Sequence, residues 1–161
     1  MPSLNQGDIF AATLDRECDL TIVFGHFGFN AMSGFWQDFV RNQPKLAHVR
    51  DPFSEIPDRP VEFQKRRWLW FVSEGENHGL SNSQLTSVLK EALTWAMDNV
   101  VKSVITNGIA DTDHSQSTTS NRSSDDARAR FLIDLLSTYE HEFDVTITLI
   151  SQNDVFVRNA T

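Results

Sequence analysis

The sequence predicts a single α/β domain over residues 1–161, a three-layer α/β/α sandwich around a mixed, mainly parallel sheet. The first observation is a set of four short apolar segments rich in β-branched and aromatic residues, the composition of buried strands. They are residues 20–24, 68–72, 101–106 and 145–150. The second observation is that amphipathic helical patterns separate the last three segments, and a helix between two strands usually makes those strands parallel.

The composition restricts the kinds of protein that this chain can be. Its 161 residues are 40% hydrophobic, enough to build a core, which argues against general disorder. The net charge of −8 argues against a duplex nucleic acid partner. No apolar run approaches the ~20 residues of a membrane helix and no secretory leader is visible, so we expect no membrane partner. The single cysteine, Cys18, suits a reducing cytoplasm.

The first 24 residues predict a loosely held start, a short helix and a central strand. Residues 1–6 are polar and few, so we expect almost no edge strand there. Asp8 begins a short helical stretch, residues 8–13, and its carboxylate can cap the first N–H groups of that helix. The strand at 20–24 has few polar interruptions, which indicates burial on both of its faces.

A glycine-containing loop follows this strand. It contains Gly25, His26 and Gly28, and the two glycines let the backbone approach a ligand closely. Residues 31–41 then repeat apolar side chains at helical spacing. Residues 43–67 hold four of the five prolines and many charges, which predicts loops and one or two short edge strands.

The clearest helix begins at Ser81, which forms a capping-box pattern with Gln84, and it ends near Asp98 and Asn99. The strand at 101–106 follows within a few residues, which again indicates a parallel neighbour.

A sharp turn and a long polar loop come after that strand. Asn107-Gly108 can turn with a positive φ, and residues 110–121 are low in apolar side chains. The acidic segment 123–126 predicts the start of a helix, because carboxylates are favoured at helix N-termini. The helix is expected to end at Asp144, and residues 151–154 to form the exit loop of the last strand.

One cluster could supply metal ligands, namely Asp111, Asp113 and His114, with a further ligand from His26 or His78. Acidic loop residues are more often solvated, so we predict no resident metal or cofactor. Cys18 has no neighbouring histidine to activate it and is expected to be a packing residue.

Taken together, the segments resemble the macro domain, an ADP-ribose-binding α/β/α module. Gly7-Asp8-Ile9 is similar to that family's G-D-I-T, and Val101-Lys102-Ser103-Val104 is similar to its I-K-S-I strand. The family's P-A-I-S-T-G segment corresponds here to Asn107-Gly108-Ile109-Ala110-Asp111-Thr112. Residues 145–153 look like its last strand and the loop that borders the adenosine.

The resemblance implies a nucleotide-type small molecule, such as ADP-ribose, as the partner. Asp8 would contact the adenine amino group, and backbone N–H groups around Gly25–Gly28 and Gly108–Ala110 would hold the diphosphate. The expected ligand-binding residues are Asp8, Ile9, Gly25, His26, Gly28, Gly108, Ile109, Ala110, Asp111 and Asn153.

The ligand loops depart from the family pattern, and these departures leave alternatives open. The family's N-A-A-N, on which its ADP-ribosyl hydrolase activity depends, reads Phe24-Gly25-His26-Phe27 here, so whether this chain is an enzyme stays open. Asp111 in the phosphate loop would repel a pyrophosphate. One alternative is a macro-like protein-interaction module that binds no nucleotide. The other is a metal-dependent hydrolase that uses Asp111, Asp113 and His114.

Overall fold

Six strands form one sheet at the centre of the fold. The computed structural model describes residues 1–15, 18–25, 39–41, 43–46, 48–49, 53, 60–73, 80–109 and 119–160, the last range by its backbone alone at 119–123. The strands are β1 (Ser3–Gln6), β2 (Leu20–Gly25), β3 (Val61–Gln64), β4 (Arg67–Ser73), β5 (Ser103–Thr106) and β6 (Thr146–Ser151). Their spatial order is β1-β6-β5-β2-β4-β3. Every neighbouring pair is parallel except β3–β4, which is an antiparallel hairpin at one edge.

Four described helices accompany these strands: α1 (Ile9–Asp15), α2 (Asn82–Asp98), α3 (Thr119–Phe143) and α4 (Val155–Arg158). None of the helices in the described ranges is long and apolar enough to cross a bilayer. Of the helix predicted at 31–41, Phe39 and Val40 are helical, while residues 31–38 lie outside the described residues.

Alternate residues of the central strands point into two separate apolar layers, as the period of two in a strand requires. On β2, Leu20, Ile22 and Phe24 face α2 and α3, while Val23 faces α1. The α2–α3 layer buries side chains from both helices, among them Leu85, Leu89, Leu93, Leu132 and Leu136. The α1 layer contains Ile9, Phe10, Phe39, Leu46, Phe53, Phe63 and Phe71. The predicted α/β/α sandwich with a mainly parallel sheet is therefore confirmed.

Helix α1 is held on the sheet by buried polar contacts. Thr13 Oγ1 donates to the Ile9 carbonyl at 2.7 Å and lies 3.0 Å from Thr21 Oγ1. Because the Thr13 hydroxyl proton is already used, Thr21 is the donor between the two hydroxyls. Cys18 Sγ lies 3.4 Å from Thr21 Oγ1 and is buried, so Cys18 is the packing residue that the sequence predicts.

The capping box predicted for α2 is present, with the Ser81 and Gln84 side chains each bonded to the other's backbone N–H. The other end of α2 is unusual. Val101 N donates to the Ala96 carbonyl at 2.8 Å and Val100 N to the Met97 carbonyl at 3.3 Å, the two bonds of a Schellman motif. The left-handed residue of that motif is Val100, with φ of 58°. Glycine is usual there because it has no Cβ to clash.

Two predictions about the elements are wrong, and one helix was not predicted. Residues 3–6 do form an edge strand, since β1 pairs in parallel with β6 from Ser3↔Thr148 to Gln6↔Ser151. Helix α3 begins at Thr119, so the end of the predicted loop and the residues before the acidic segment are helical. Helix α4 follows the exit loop and was not expected. Its Arg158 Nε and the Asn159 side chain both donate to Asp126 Oδ1 at 2.7 Å, which ties it to α3.

Candidate functional site

The turn before α1 and the exit loop of β6 lie side by side at the carboxyl edge of the sheet. Strands β1 and β6 run in parallel, and their pairing continues past Gln6 because Gly7 N donates to the Ser151 carbonyl at 2.7 Å. The next residues on each chain segment, Asp8 and Gln152, therefore face each other. Ligands of open α/β sheets bind at this edge.

The Asp8 carboxylate is the centre of this region. Its Oδ2 accepts hydrogen bonds from Phe10 N and Ala11 N, both at 3.0 Å, and its Oδ1 accepts one from Gln152 Nε2 at 3.1 Å. The first two bonds make Asp8 the N-cap of α1, as the sequence predicts. A carboxylate oxygen has about two acceptor positions. Oδ2 is therefore saturated, while Oδ1 keeps one position for a further donor.

A backbone donor lies next to that acceptor. The N–H group of Ile9, at the start of α1, has no acceptor within the part of the chain that the structure describes. The first N–H groups of every helix lack partners inside the helix, and Asp8 satisfies only those of Phe10 and Ala11. Asp8 Oδ1 and Ile9 N–H thus form an adjacent acceptor and donor.

Asn153 lies in the same exit loop and is exposed. Its Oδ1 accepts a hydrogen bond from Val155 N at 2.8 Å, which fixes the turn into α4. Its side-chain N–H groups have no acceptor among the residues described, so they are available to a ligand. Asn153 combines a structural role with two free donors.

The carboxyl ends of β2 and β5 are joined by a side chain that sequence reasoning did not single out. Asn107 Oδ1 accepts from Phe24 N at 2.8 Å, and Asn107 Nδ2 donates to the Phe24 carbonyl at 2.9 Å. The amide group thereby continues the sheet beyond Thr106, the last residue of β5. The loops that begin at Gly25 and Gly108 consequently leave the sheet from positions fixed relative to each other.

Gly108 is required by the local conformation. Its φ is 63°, and a Cβ at this position would lie 2.7 Å from Leu132 Cδ1. Its N–H group donates to Thr106 Oγ1 at 3.2 Å, and Ile109 N donates to the Asn107 carbonyl at 2.6 Å. The resemblance implies that these two N–H groups bind a diphosphate. To do so, each would have to give up its present bond, to Thr106 Oγ1 or to the Asn107 carbonyl, for a bond to the ligand.

Gly25 is covered on one face by an aromatic ring. A Cβ at Gly25 would lie 2.2 Å from Phe53 Cζ, so only glycine fits beneath that ring. Phe53 is buried and makes an edge-to-face contact with Phe71, with ring centroids 5.6 Å apart. On the α1 side of the sheet, the Phe53 ring thus covers Gly25 and leaves no space there for a ligand.

The remaining candidate residues lie outside the described residues; they are His26, Gly28, His78, Ala110, Asp111, Asp113 and His114. Within the described ranges, no three His, Cys, Asp or Glu side chains are grouped as metal ligands would be. The structure therefore brings together Asp8, Ile9 and Asn153, and separately Gly108 and Ile109. It adds Gln152, whose only sequence signal is a polar side chain just after a strand, and the side chain of Asn107, a residue that the sequence indicated only as part of a turn.

Comparisons with known proteins identify the fold. No protein-family model and no curated protein matches the sequence. Among solved structures, the chain is similar to a Trypanosoma brucei macrodomain in complex with ADP-ribose, with a TM-score of 0.64, 13% identity, and coverage of 97% of this chain and 66% of that chain. The complex of a T. brucei macrodomain with ADP gives a TM-score of 0.63, 12% identity, and coverage of 98% and 68%.

A third similar structure is the macrodomain of Thermus aquaticus DarG, with a TM-score of 0.57, 10% identity, and coverage of 95% of this chain and 99% of that chain. The chain spans about two thirds of the T. brucei chains and nearly all of the T. aquaticus domain. The resemblance seen in the sequence is thereby confirmed at the level of fold: this chain has the macrodomain fold.

Proposed function

We propose that this chain binds an adenine nucleotide, with ADP-ribose as the leading candidate, and that the adenine lies against Asp8 and Ile9. The observation that carries the proposal is the adjacent acceptor and donor formed by Asp8 Oδ1 and Ile9 N–H. Adenine has the complementary pattern, an amino group that donates next to a ring nitrogen that accepts. A purine with an oxygen at the same carbon would present an acceptor to the carboxylate and be repelled.

The structural neighbours support the nucleotide class. The T. brucei macrodomain was solved with ADP-ribose and with ADP. Both ligands contain adenosine and a diphosphate, so the shared fold and the Asp8–Ile9 pair favour the same class of ligand here. In this proposal Asn153, whose side-chain N–H groups have no acceptor among the described residues, contacts the adenosine from the exit loop.

Binding without hydrolysis is the form of this function that we favour. The family's hydrolase activity depends on an asparagine of its N-A-A-N segment, and this chain has Phe24-Gly25-His26-Phe27 there. The glycine of this segment is covered by the Phe53 ring. A second candidate, a protein-interaction module without nucleotide binding, is favoured by the same ring, since it occupies space beside the expected diphosphate loop.

The proposal is tested by calorimetric titration of ADP-ribose, ADP and adenosine into the wild type and two Asp8 variants. Asp8→Ala removes both the helix cap and the ligand acceptor, whereas Asp8→Ser keeps a side chain that can cap α1. We expect both variants to lose 1.5–3 kcal/mol of binding free energy, about 10- to 150-fold in affinity, as is typical of a hydrogen bond to a charged group.

Denaturant unfolding separates the two roles of Asp8. Asp8→Ala should cost ~1 kcal/mol of stability and Asp8→Ser much less, because serine is itself a good N-cap. If Asp8→Ser recovers binding together with stability, Asp8 is only a cap and the adenine proposal is wrong. If the wild type binds none of the three ligands, the protein-interaction module becomes the better explanation.

A further inference from the structure

We propose that Gln152 determines the nucleobase specificity of the adenine subsite by leaving the Asp8 carboxylate with a single, directed acceptor position. This inference rests on the proposed function. Gln152 lies in the loop that the resemblance places beside the adenosine but is not among the expected ligand-binding residues, and its role follows from the hydrogen bonds around Asp8. It acts on the ligand through Asp8 and is therefore a positioning residue.

The argument begins with the acceptor positions of the carboxylate. Of about four positions, two on Oδ2 are used by Phe10 N and Ala11 N, and one on Oδ1 is used by Gln152 Nε2. Three hydrogen bonds from two different chain segments prevent the carboxylate from rotating. The fourth position consequently has a fixed direction before any ligand arrives, and such preorganisation favours a ligand that matches it.

Gln152 itself starts from a fixed backbone. Its carbonyl accepts a hydrogen bond from Gln6 Nε2 at 3.0 Å, and the preceding carbonyl, that of Ser151, accepts one from Gly7 N at 2.7 Å. The side chain is half-buried, and its bond to Asp8 is the one hydrogen bond of its amide group with the described residues. The loop therefore delivers the Gln152 amide to Asp8 without depending on that bond for its own conformation.

Water explains why the Gln152 donor affects specificity. If Gln152 is absent, its position on Oδ1 is open to a water molecule. A water molecule can donate one hydrogen to the carboxylate and the other to the oxygen of a 6-oxopurine, and water-mediated bonds are nearly as favourable as direct ones. Such a bridge would remove much of the repulsion that discriminates against hypoxanthine. With Gln152 in place, that position is filled by an N–H group belonging to the protein.

The test uses ADP and IDP, which differ at carbon 6 of the purine, amino in ADP and oxo in IDP, and at N1, which carries a proton only in IDP. Both are titrated into the wild type, Gln152→Ala and the control Gln64→Ala, which removes a glutamine on β3, at the opposite edge of the sheet from Asp8. We expect the preference for ADP over IDP to fall about fivefold in Gln152→Ala, the effect of about one ordinary hydrogen bond. The preference should be unchanged in Gln64→Ala. Thermal melts of all three proteins establish that they are folded.

The outcomes separate this inference from the function on which it rests. If the wild type prefers ADP and Gln152→Ala keeps the same preference, the role of Gln152 is refuted while the adenine subsite stands. If Gln152→Ala binds ADP more tightly and more selectively, Gln152 competes with the ligand, which also refutes the inference. If the wild type binds neither nucleotide, the proposed function fails first and the inference falls with it.

Discussion

Replacing Asn107 should destabilise the protein far more than replacing an exposed asparagine. Asn107 is 2% exposed, and its amide makes two hydrogen bonds of 2.8 and 2.9 Å to the backbone of Phe24, which is itself 2% exposed. Asn107→Ala leaves the Phe24 N–H and carbonyl without these partners in a buried position. An unsatisfied buried group costs about 1–3 kcal/mol. We therefore expect a loss of about 2–6 kcal/mol, a large part of a total stability of about 5–15 kcal/mol.

The assay is urea unfolding of the wild type and three variants, followed by circular dichroism. Asn99→Ala is the matched control, because the exposed Asn99 side chain makes a single bond to the Trp95 carbonyl and its loss should cost well under 1 kcal/mol. Asn107→Asp preserves the volume and the acceptor but loses the donor and buries a charge, so it should be at least as destabilising as Asn107→Ala. A cost for Asn107→Ala no greater than that for Asn99→Ala would refute the reasoning.

Three further substitutions test other features. Val100→Gly should stabilise the protein by about 1 kcal/mol, because Val100 is 74% exposed and has φ of 58°. Val157→Gly, an exposed change on α4, should instead destabilise it. If denaturant melts show both changes shifting the free energy of unfolding in the same direction, the strain argument is wrong. Gly108→Ala should lower the free energy of unfolding by about 2–4 kcal/mol, because alanine disfavours the positive φ and its Cβ would lie 2.7 Å from Leu132 Cδ1. The same melts measure this loss, and an unchanged stability would contradict the geometry at Gly108. Asp111→Ser should tighten ADP-ribose binding at least tenfold at low salt, with a smaller gain at high salt; sub-micromolar metal-free binding by the wild type would contradict it.

The strands and the two long helices were predictable because their residues carry strong periodic patterns. The segment 68–72 is continuous in apolar residues because β4 lies inside the sheet, between β2 and β3, and buries side chains on both faces. The capping box of Ser81 and Gln84 marks the start of α2. Near the end of α2, Met97 is 53% exposed, although the same helix buries Leu85, Leu89 and Ala96.

The boundaries that were wrong depend on long-range contacts. β1 consists of four mostly polar residues, Ser3–Gln6, and only its pairing with β6 makes it a strand. The start of α3 at Thr119 lies in a Ser- and Thr-rich segment with low intrinsic helix preference, so local sequence predicted a loop there. α4 is too short for a periodic pattern to be visible.

The site was predictable where a local motif defines it. Asp8 could be chosen as a cap and as a ligand contact from Gly7-Asp8-Ile9 alone, and the structure confirms the cap. The partners Gln152 and Asn107 could not be found in this way, because each contacts a residue far away in sequence, Asp8 and Phe24. Nothing in the neighbouring residues indicates which of several polar side chains reaches across the sheet.

The pairing of β1 with β6 has a consequence for the folding of this chain and for the protection of its amide hydrogens. It joins residues 3–6 to 148–151, a closure over nearly the whole sequence, and such contacts form late because the loop they close is long. A four-residue edge strand also opens at low free energy in the native state. Each opening separates Asp8 from Gln152 and so dismantles the proposed adenine subsite. If a nucleotide binds there, its affinity is lowered by the fraction of molecules in which β1 is undocked, and the bound nucleotide slows amide exchange at Asn5 and Gly7.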